Sequence, residues 1–456
     1  MFRRYVPGRV AALSASEFLL IYSCYVAATF AFRGLDAQVY LLDDNGWLRI
    51  LIVTLCLIAG IYFNDLYSDF RVGHGDLLQR AVVVAAVAFL AEGLLTYLRL
   101  PQFVLPARPM IAGSVLTILA LMVSHRSFQP VLAKLIPPER VLFFGNSEIV
   151  QEICCRLEGH PEKGLTPIGF LDDTGSSCEK RLGALGDLCE VVNRLHPDRI
   201  VVALTERRSR LPVDRLLQMR LSGVRVEDVL TTYETAFERI STRALQPSQL
   251  IFSSTELGPN PRRVRLQSIY SMGIAACAVL IAAPVMLSVA ILIKLTSPGP
   301  ALFRQERVGK GDRIFTLYKF RSMVAGAESE SGPVWAKRND SRITAVGRWL
   351  RKLRLDELPQ LFNVLKGDMS IVGPRPERPN FVSGFEKKFP YYRHRHCVKP
   401  GITGWAQINH KYGDTEKDAE IKLEYDLYYI KNLAPALDAV IMFRTAKVML
   451  LSRGAQ

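Results

Sequence analysis

The chain has 456 residues, 49% of them hydrophobic, and carries 58 Lys plus Arg against 43 Asp plus Glu, a formal net charge of +15. That length exceeds one ordinary domain, and the apolar residues are bunched into stretches rather than spread as a single core would need. Cations flanking apolar stretches fit anionic lipid headgroups and anionic substrates, and with no nucleic-acid module signature present, nucleic acid is not expected as a partner.

Four apolar stretches come first, 12–32, 47–67, 81–98 and 110–123. Each is near the ~20 residues that cross a bilayer, which predicts four transmembrane helices over residues 1–126. The first has a basic start in Arg3, Arg4 and Arg9, but it is longer than a signal-peptide core and three more follow, so it is expected to remain in the protein. Those arginines, set against Asp36, Asp43 and Asp44 in the first loop, place the N-terminus on the cytoplasmic side. An even number of spans returns the chain there, to His125, Arg126, Lys134 and Arg140. Glu17 and Glu92 fall within the apolar stretches, either as functional groups or as packed polar contacts. The eight cysteines have no CxxC spacing, which gives no support to a zinc site or a disulfide framework.

From Arg140 short β-rich runs alternate with helical ones, at 141–145, 168–171, 199–203 and 224–229. This cadence predicts a Rossmann-like α/β domain with a parallel sheet over 139–250. Gly145 follows the first run and Asp172 lies a suitable distance beyond, yet Gly145-Asn-Ser-Glu-Ile-Val150 lacks the second and third glycines of a dinucleotide fingerprint. A structural or regulatory module is the better reading.

Periodicity is lost over 246–261, where Gly258-Pro-Asn-Pro261 predicts a linker. The next apolar run, 269–293, would be about 37 Å long as a straight helix and could cross a bilayer. Arg262, Arg263 and Arg265 precede it and Lys294, Arg304 and Arg307 follow, so both ends carry the cytoplasmic charge signature. A helix that enters and leaves by one face reconciles these, with Pro284 as the break, because proline removes a backbone hydrogen bond and clashes with the preceding turn.

The densest chemistry lies beyond. Phe303-Arg-Gln-Glu-Arg-Val-Gly-Lys-Gly311 leads to Lys319-Phe-Arg-Ser-Met323. Leu355-Asp-Glu-Leu-Pro-Gln-Leu361 then sets two adjacent carboxylates, Asp356 and Glu357, among Arg348, Arg351, Lys352, Arg354, Lys366 and Arg375. Neighbouring helix positions point about 100° apart, so the pair cannot serve one atom; one can attack while the other holds a metal. Beside cations that neutralise a reacting phosphate, such a pair suits phosphoryl chemistry, and an amphipathic helix with ordinary ion pairs is the plainer alternative. Lys366-Gly-Asp-Met-Ser-Ile-Val-Gly-Pro-Arg375-Pro-Glu377 follows, its prolines and glycine fixing the backbone around one guanidinium. His394 and His396, alternating with arginines, read as a basic surface and not as metal ligands. The last helix, over 433–451, either lies in the membrane interface or caps the catalytic domain.

With Lys399-Pro-Gly-Ile-Thr-Gly-Trp-Ala-Gln-Ile-Asn409 and Tyr425-Asp-Leu-Tyr-Tyr-Ile430, these blocks in this order resemble the bacterial sugar transferases, specifically the long-form monotopic polyprenyl-phosphate hexose-1-phosphate transferases, over 262–456. The resemblance implies a membrane protein of α plus α/β class: four transmembrane helices, the Rossmann-like cytoplasmic domain, and a mostly helical monotopic catalytic domain whose re-entrant helix is broken at Pro284. Many members carry serine before that proline, whereas this chain has Ala283. The implied activity is transfer of a sugar 1-phosphate from a UDP-sugar to undecaprenyl phosphate with release of UMP, starting exopolysaccharide or related glycan assembly at the cytoplasmic side of the bacterial inner membrane. Asp356 is then the nucleophile that forms an aspartyl phosphosugar, Glu357 a ligand of Mg²⁺, and Lys319, Arg321, Arg351 and Arg375 the phosphate contacts. Membrane lipid, a second copy in a homodimer and downstream glycosyltransferases are the further partners it implies. A non-catalytic scaffold would need lost active-site residues, and none is lost. A membrane-anchored nucleotide-sugar dehydratase would need an intact glycine fingerprint and a Tyr-x-x-x-Lys pair, but Tyr233 is followed four residues later by Phe237.

Overall fold

In lipid a backbone must satisfy its own polar groups, which favours helices wherever the chain is continuously apolar. The early apolar stretches accordingly form α1 (Gly8–Arg33), α2 (Ala37–Leu42), α3 (Gly46–Phe63), α4 (His74–Tyr97) and α5 (Ala107–Leu135). The computed structural model describes residues 8–63, 74–135, 137–173, 180–204, 211–245, 259–324, 326, 340, 342–410 and 415–450. The end of the second expected span, most of the expected linker at 246–261 and the last residue of the final expected helix fall outside these. Two compact units divide the chain, Met1–Glu227 and Asp228–Gln456.

In the first unit α1 and α5 approach closely because Gly113 has no side chain: a Cβ there would meet the Tyr25 ring at 2.3 Å. The Tyr25 hydroxyl is hydrogen-bonded to that of Ser114 at 2.8 Å. Ile21, Ile50, Leu57, Val84 and Leu121 fill the space between helices, while Leu19, Leu55, Leu90 and Val123 face outward. By length and composition, 13–42, 78–97 and 101–124 are able to cross a membrane, as is Pro261–Thr296 in the second unit, and Gly46–Tyr62 is a shorter apolar helix. Glu17 and Glu92 are both buried, and Glu92 Oε2 accepts the Leu105 backbone N–H at 2.9 Å, a packed polar contact.

The α/β part follows in β1 (Glu139–Phe144), α6 (Glu148–Gly159), β2 (Leu165–Leu171), β3 (Arg181–Gly183), α7 (Leu188–Leu195), β4 (Arg199–Val202), α8 (Val213–Leu221) and β5 (Arg225–Asp228). The strands lie in the order β3-β2-β1-β4-β5, with β1 parallel to β2 and β4 and β2 parallel to β3, a doubly wound arrangement. Short edge strand β3 was not foreseen, since three residues carry too little pattern to read. Gly145 has φ +105, and a Cβ on it would sit 3.0 Å from the Ala203 backbone, so close chain approach explains this glycine. Where a fingerprint would place its second glycine, Ser147 instead caps α6 by accepting the Val150 N–H at 3.4 Å.

The second unit contains α9 (Val229–Phe237), α10 (Pro261–Thr296), an antiparallel hairpin of β6 (Leu302–Val308) and β7 (Ile314–Phe320), α11 (Ala345–Lys352), α12 (Gln360–Lys366), β8 (Ser370–Val372), α13 (Pro379–Lys388), β9 (Gly401–Thr403), α14 (Trp405–Asn409), α15 (Glu416–Lys431) and α16 (Pro435–Leu450). Helix α10 starts with the Asn260 side chain accepting the Arg262 N–H at 2.9 Å and runs through Pro284 without interruption. The expected break is thus no gap in the helix. One proline withholds a single hydrogen bond, from the Leu280 carbonyl, and packing holds both flanks. The first half packs through Ala275 on Leu317, Leu361, Val364 and Met369, and the second through Met286, Val289 and Ile293 on Phe320 and Leu350. Leu280 and Ile281, just before the proline, are 77% and 79% exposed.

Residues after α9 also pack within this unit. The Thr242 N–H donates to buried Glu424 Oε1 at 3.0 Å, Arg239 pairs with the same carboxylate at 3.2 Å, and Trp405 Nε1 donates to the Glu238 carbonyl at 2.9 Å.

Candidate active site

Helix α11 begins where Thr344 accepts the Gly347 N–H at 2.9 Å, and it lies so close to the preceding chain that a Cβ on Gly347 would be 1.9 Å from the Ser322 carbonyl oxygen. After it the backbone reverses through Arg354, at φ +54, into a single 3₁₀ turn, Leu355–Glu357. The acid pair therefore stands on a tight turn and not within the expected helix, and at about three residues per turn the two side chains still diverge. Asp356 is 8% exposed.

Cations reach this turn from three directions. Lys319 shares a face of β7 with buried Leu317, and its Nζ donates to Glu357 Oε1 at 2.9 Å. Arg375 Nη2 donates to the same oxygen at 3.0 Å, and Arg354 Nη1 stands 3.8 Å from Oε2. Burial works to raise the Glu357 carboxyl, but Lys319, Arg375 and Arg354 outweigh it and hold it well below the usual carboxylate range. For Asp356 burial prevails over Lys319, Arg351 and Arg375, with the Glu357 charge adding to it, and the carboxyl is pushed up. Neighbouring carboxyls are thus driven apart by their surroundings, the usual basis for two roles in one site.

Of the six residues expected here, Lys319, Arg375, Asp356 and Glu357 come together, and Arg351, whose Nε donates to Ser322 Oγ at 3.1 Å, contributes its charge to Asp356. Arg321 is placed differently. Its Nη1 donates to the Pro298 carbonyl at 2.7 Å and its Nη2 to the Ser297 carbonyl at 2.8 Å, fastening the chain where α10 ends.

Glycine packing explains why the Arg375 block and the block beginning at Lys399 belong together. Parallel strands β8 and β9 bring Gly373, Gly401 and Gly404 backbone to backbone: a Cβ on Gly401 would lie 2.1 Å from the Gly373 nitrogen, and one on Gly404 2.2 Å from the Gly373 oxygen. Any side chain there would push apart the loop that carries Arg375.

Sequence reading missed several supporting groups. Asn363 is fully buried and clamps β7, accepting the Tyr318 N–H at 3.0 Å and donating to the Thr316 carbonyl at 2.7 Å. Gln267, in α10, donates to Asp438 Oδ2 at 2.7 Å and to the Tyr429 hydroxyl at 2.5 Å. The expected basic surface at 393–396 is corrected in part. In the 3₁₀ turn Tyr392–Cys397 the residues three apart, Tyr392 and Arg395, face inward with His396, and of the four residues 393–396 Arg393 alone is fully outside. Asp312, Glu386 and His396 bring potential ligand atoms within 4.8 Å of one another. The Arg393 guanidinium, 2.9 Å from Glu386 and 3.9 Å from Asp312, already supplies their counter-charge.

Long apolar helices, a doubly wound sheet and a carboxylate pair ringed by cations define a membrane-associated α/β protein with a site suited to phosphate. Residues 262–452 match the family model described as bacterial sugar transferase. The chain is 44% identical over 241 residues, 53% of its length and 56% of the relative's, to "UDP-N-acetylgalactosamine-undecaprenyl-phosphate N-acetylgalactosaminephosphotransferase" of Aeromonas hydrophila. It is 35% identical over 322 residues, 68% of its length and 66% of the relative's, to "UDP-glucose:undecaprenyl-phosphate glucose-1-phosphate transferase" of Xanthomonas campestris pv. campestris. Against "Exopolysaccharide production protein PSS" of Rhizobium leguminosarum bv. phaseoli it is 44% identical over 182 residues, 39% of its length and 90% of the relative's. The chain belongs to the bacterial sugar transferase family, and it spans 56% and 66% of the first two of these relatives.

Proposed function

We propose that this protein transfers a sugar 1-phosphate from a UDP-sugar to undecaprenyl phosphate and releases UMP. The observation that carries the reading is the Asp356–Glu357 turn under Lys319 and Arg375, in a family whose relatives bear undecaprenyl-phosphate transferase names. An oxygen of ionised Asp356 attacks the phosphorus that bears the sugar, the bond from that phosphorus to the bridging oxygen breaks, and UMP leaves with the electron pair. A phosphate oxygen of the polyprenyl phosphate then attacks the same phosphorus and frees the Asp356 carboxylate. Taking the two anionic substrates in turn keeps them from meeting in one site. Lys319, Arg351 and Arg375 hold the diphosphate, the guanidiniums through paired N–H donors, and Arg321 secures the end of α10.

Glu357 offers a hard oxygen ligand in Oε2, while Oε1 is shared by Lys319 and Arg375. One carboxylate oxygen facing a phosphate site fits Mg²⁺, which keeps several waters and takes its other ligands from phosphate. Bound there, Mg²⁺ would neutralise charge on the leaving UMP phosphate.

The same reading makes α10 re-entrant and places the site at the cytoplasmic face of the inner membrane. Both halves of the helix pack on one folded unit, whereas a spanning helix would set about 30 Å of hydrocarbon between its ends. Basic residues flank it on both sides, and between them Ile269, Leu280, Ile281, Leu287 and Ile291 are exposed.

The test is UMP release by the membrane-embedded protein from UDP-glucose, UDP-galactose and their N-acetylated counterparts, with and without undecaprenyl phosphate. Sustained, lipid-dependent release with at least one sugar is expected. No sustained release from any of them would refute the activity, and the sugar that gives the highest kcat/KM names the substrate.

A further inference from the structure

Arg375 sits in a loop whose four successive carbonyls are each held by a donor from elsewhere. Pro374 O accepts from the Gly401 N–H at 2.9 Å, Arg375 O from Arg395 Nη2 at 2.8 Å, Pro376 O from Arg307 Nη1 at 2.9 Å, and Glu377 O from the Val308 N–H at 3.0 Å. Two of the four residues are prolines and have no N–H to give, so these acceptor contacts largely determine where the loop stands.

The bond to Arg375 itself comes from a buried charge. Arg395 is 6% exposed and Asp426, on α15, is 2% exposed. Arg395 Nη2 donates to Asp426 Oδ2 at 2.8 Å as well as to the Arg375 carbonyl, and Arg395 Nη1 donates to the Tyr392 hydroxyl at 2.6 Å. Burial pushes the Asp426 carboxyl up to about 6 against the pull of Arg395. A buried ion pair is a poor device for stability alone, because desolvation offsets much of its attraction. What this pair adds is one nitrogen, Arg395 Nη2, held by the carboxylate and at the same time donating to the backbone of the residue whose guanidinium contacts Glu357 at 3.0 Å.

We propose that Arg395 and Asp426 are positioning residues for the transfer reaction: the pair fixes the Arg375 carbonyl and thereby aims the Arg375 guanidinium at Glu357 and the phosphate. Neither side chain contacts substrate. The proposal rests on the transferase reading for its kinetic consequence, but the fixing of the loop is a property of the fold and is read without turnover.

Three full-length variants test it, Asp426→Asn, Arg395→Lys and Arg375→Lys, together with the Asp426→Asn/Arg375→Lys double. Lysine keeps the charge of Arg395 but lacks the second guanidinium nitrogen, whose bond to the Tyr392 hydroxyl fixes where Nη2 stands between carboxylate and carbonyl. Hydrogen exchange should quicken over 371–378 in both Asp426→Asn and Arg395→Lys, with α10 and α12 unchanged. In UMP release kcat should fall about 10- to 100-fold in each, while Asp426→Asn added to Arg375→Lys should change kcat by less than about twofold. An equal fall in both backgrounds means that the pair acts as a general brace and overturns the proposal. Unchanged exchange over 371–378 overturns it too, even if no UDP-sugar is turned over by the wild type and the transferase reading fails separately. Should Asp426→Asn not fold, Arg395→Lys carries the same comparison.

Discussion

Asp356 and Glu357 are adjacent in the chain and titrate in opposite directions because only Glu357 is directly gripped by Lys319 and Arg375. Their place among cations was legible in the sequence, and so were Lys319 and Arg375 as members of that cluster. Arg354 could be read only as one more nearby cation, and Asn363 and the Arg395–Asp426 pair not at all, because their roles depend on a left-handed backbone, a strand edge and a contact between distant segments. A pH prediction follows from the direction of the Asp356 shift. Attack requires the ionised carboxylate and burial raises its pKa, so activity should be full at higher pH and be lost as pH falls through a midpoint above the ordinary ~3.9 of aspartate. Lys319 is the strongest influence opposing that rise, and Lys319→Met should move the acid limb of kcat/KM further up in pH while lowering its height. An acid limb at or below about 3.9, or one that Lys319→Met leaves in place, would show that Asp356 does not control the profile.

Among the elements, α10 shows both what pattern reveals and where it stops. Its apolar length, its basic flanks and Pro284 could be read directly, but its continuity through the proline could not, because that depends on the hydrophobic groups against which each half is pressed. Four of the five α/β strands were legible as short β-rich runs, and the incomplete fingerprint corresponds to a helix capped by Ser147. Single cysteines at position 265 and at position 311, in a chain lacking the native eight, report the topology through a membrane-impermeant thiol reagent. A re-entrant α10 puts both on the cytoplasmic side. Labelling of the two from opposite sides would mean that the helix spans.

Across the whole molecule, the order of long apolar helices, α/β sheet and cation-rich blocks was readable because each has its own period or composition. Less readable was how residues just after α9 are used: the Glu424 carboxylate that they satisfy lies far along the chain, and nothing in either segment marks the pairing. The proposed function makes one chemical claim, that Asp356 carries the sugar phosphate between donor and acceptor. The most direct measurement is the intact mass of the protein after exposure to its UDP-sugar without polyprenyl phosphate, followed by mapping of the modified peptide. The account predicts an added sugar phosphate on Asp356 that disappears when polyprenyl phosphate is supplied, and no adduct and no UMP release from Asp356→Asn. Normal UMP release by Asp356→Asn, or an adduct on any other residue, would contradict it.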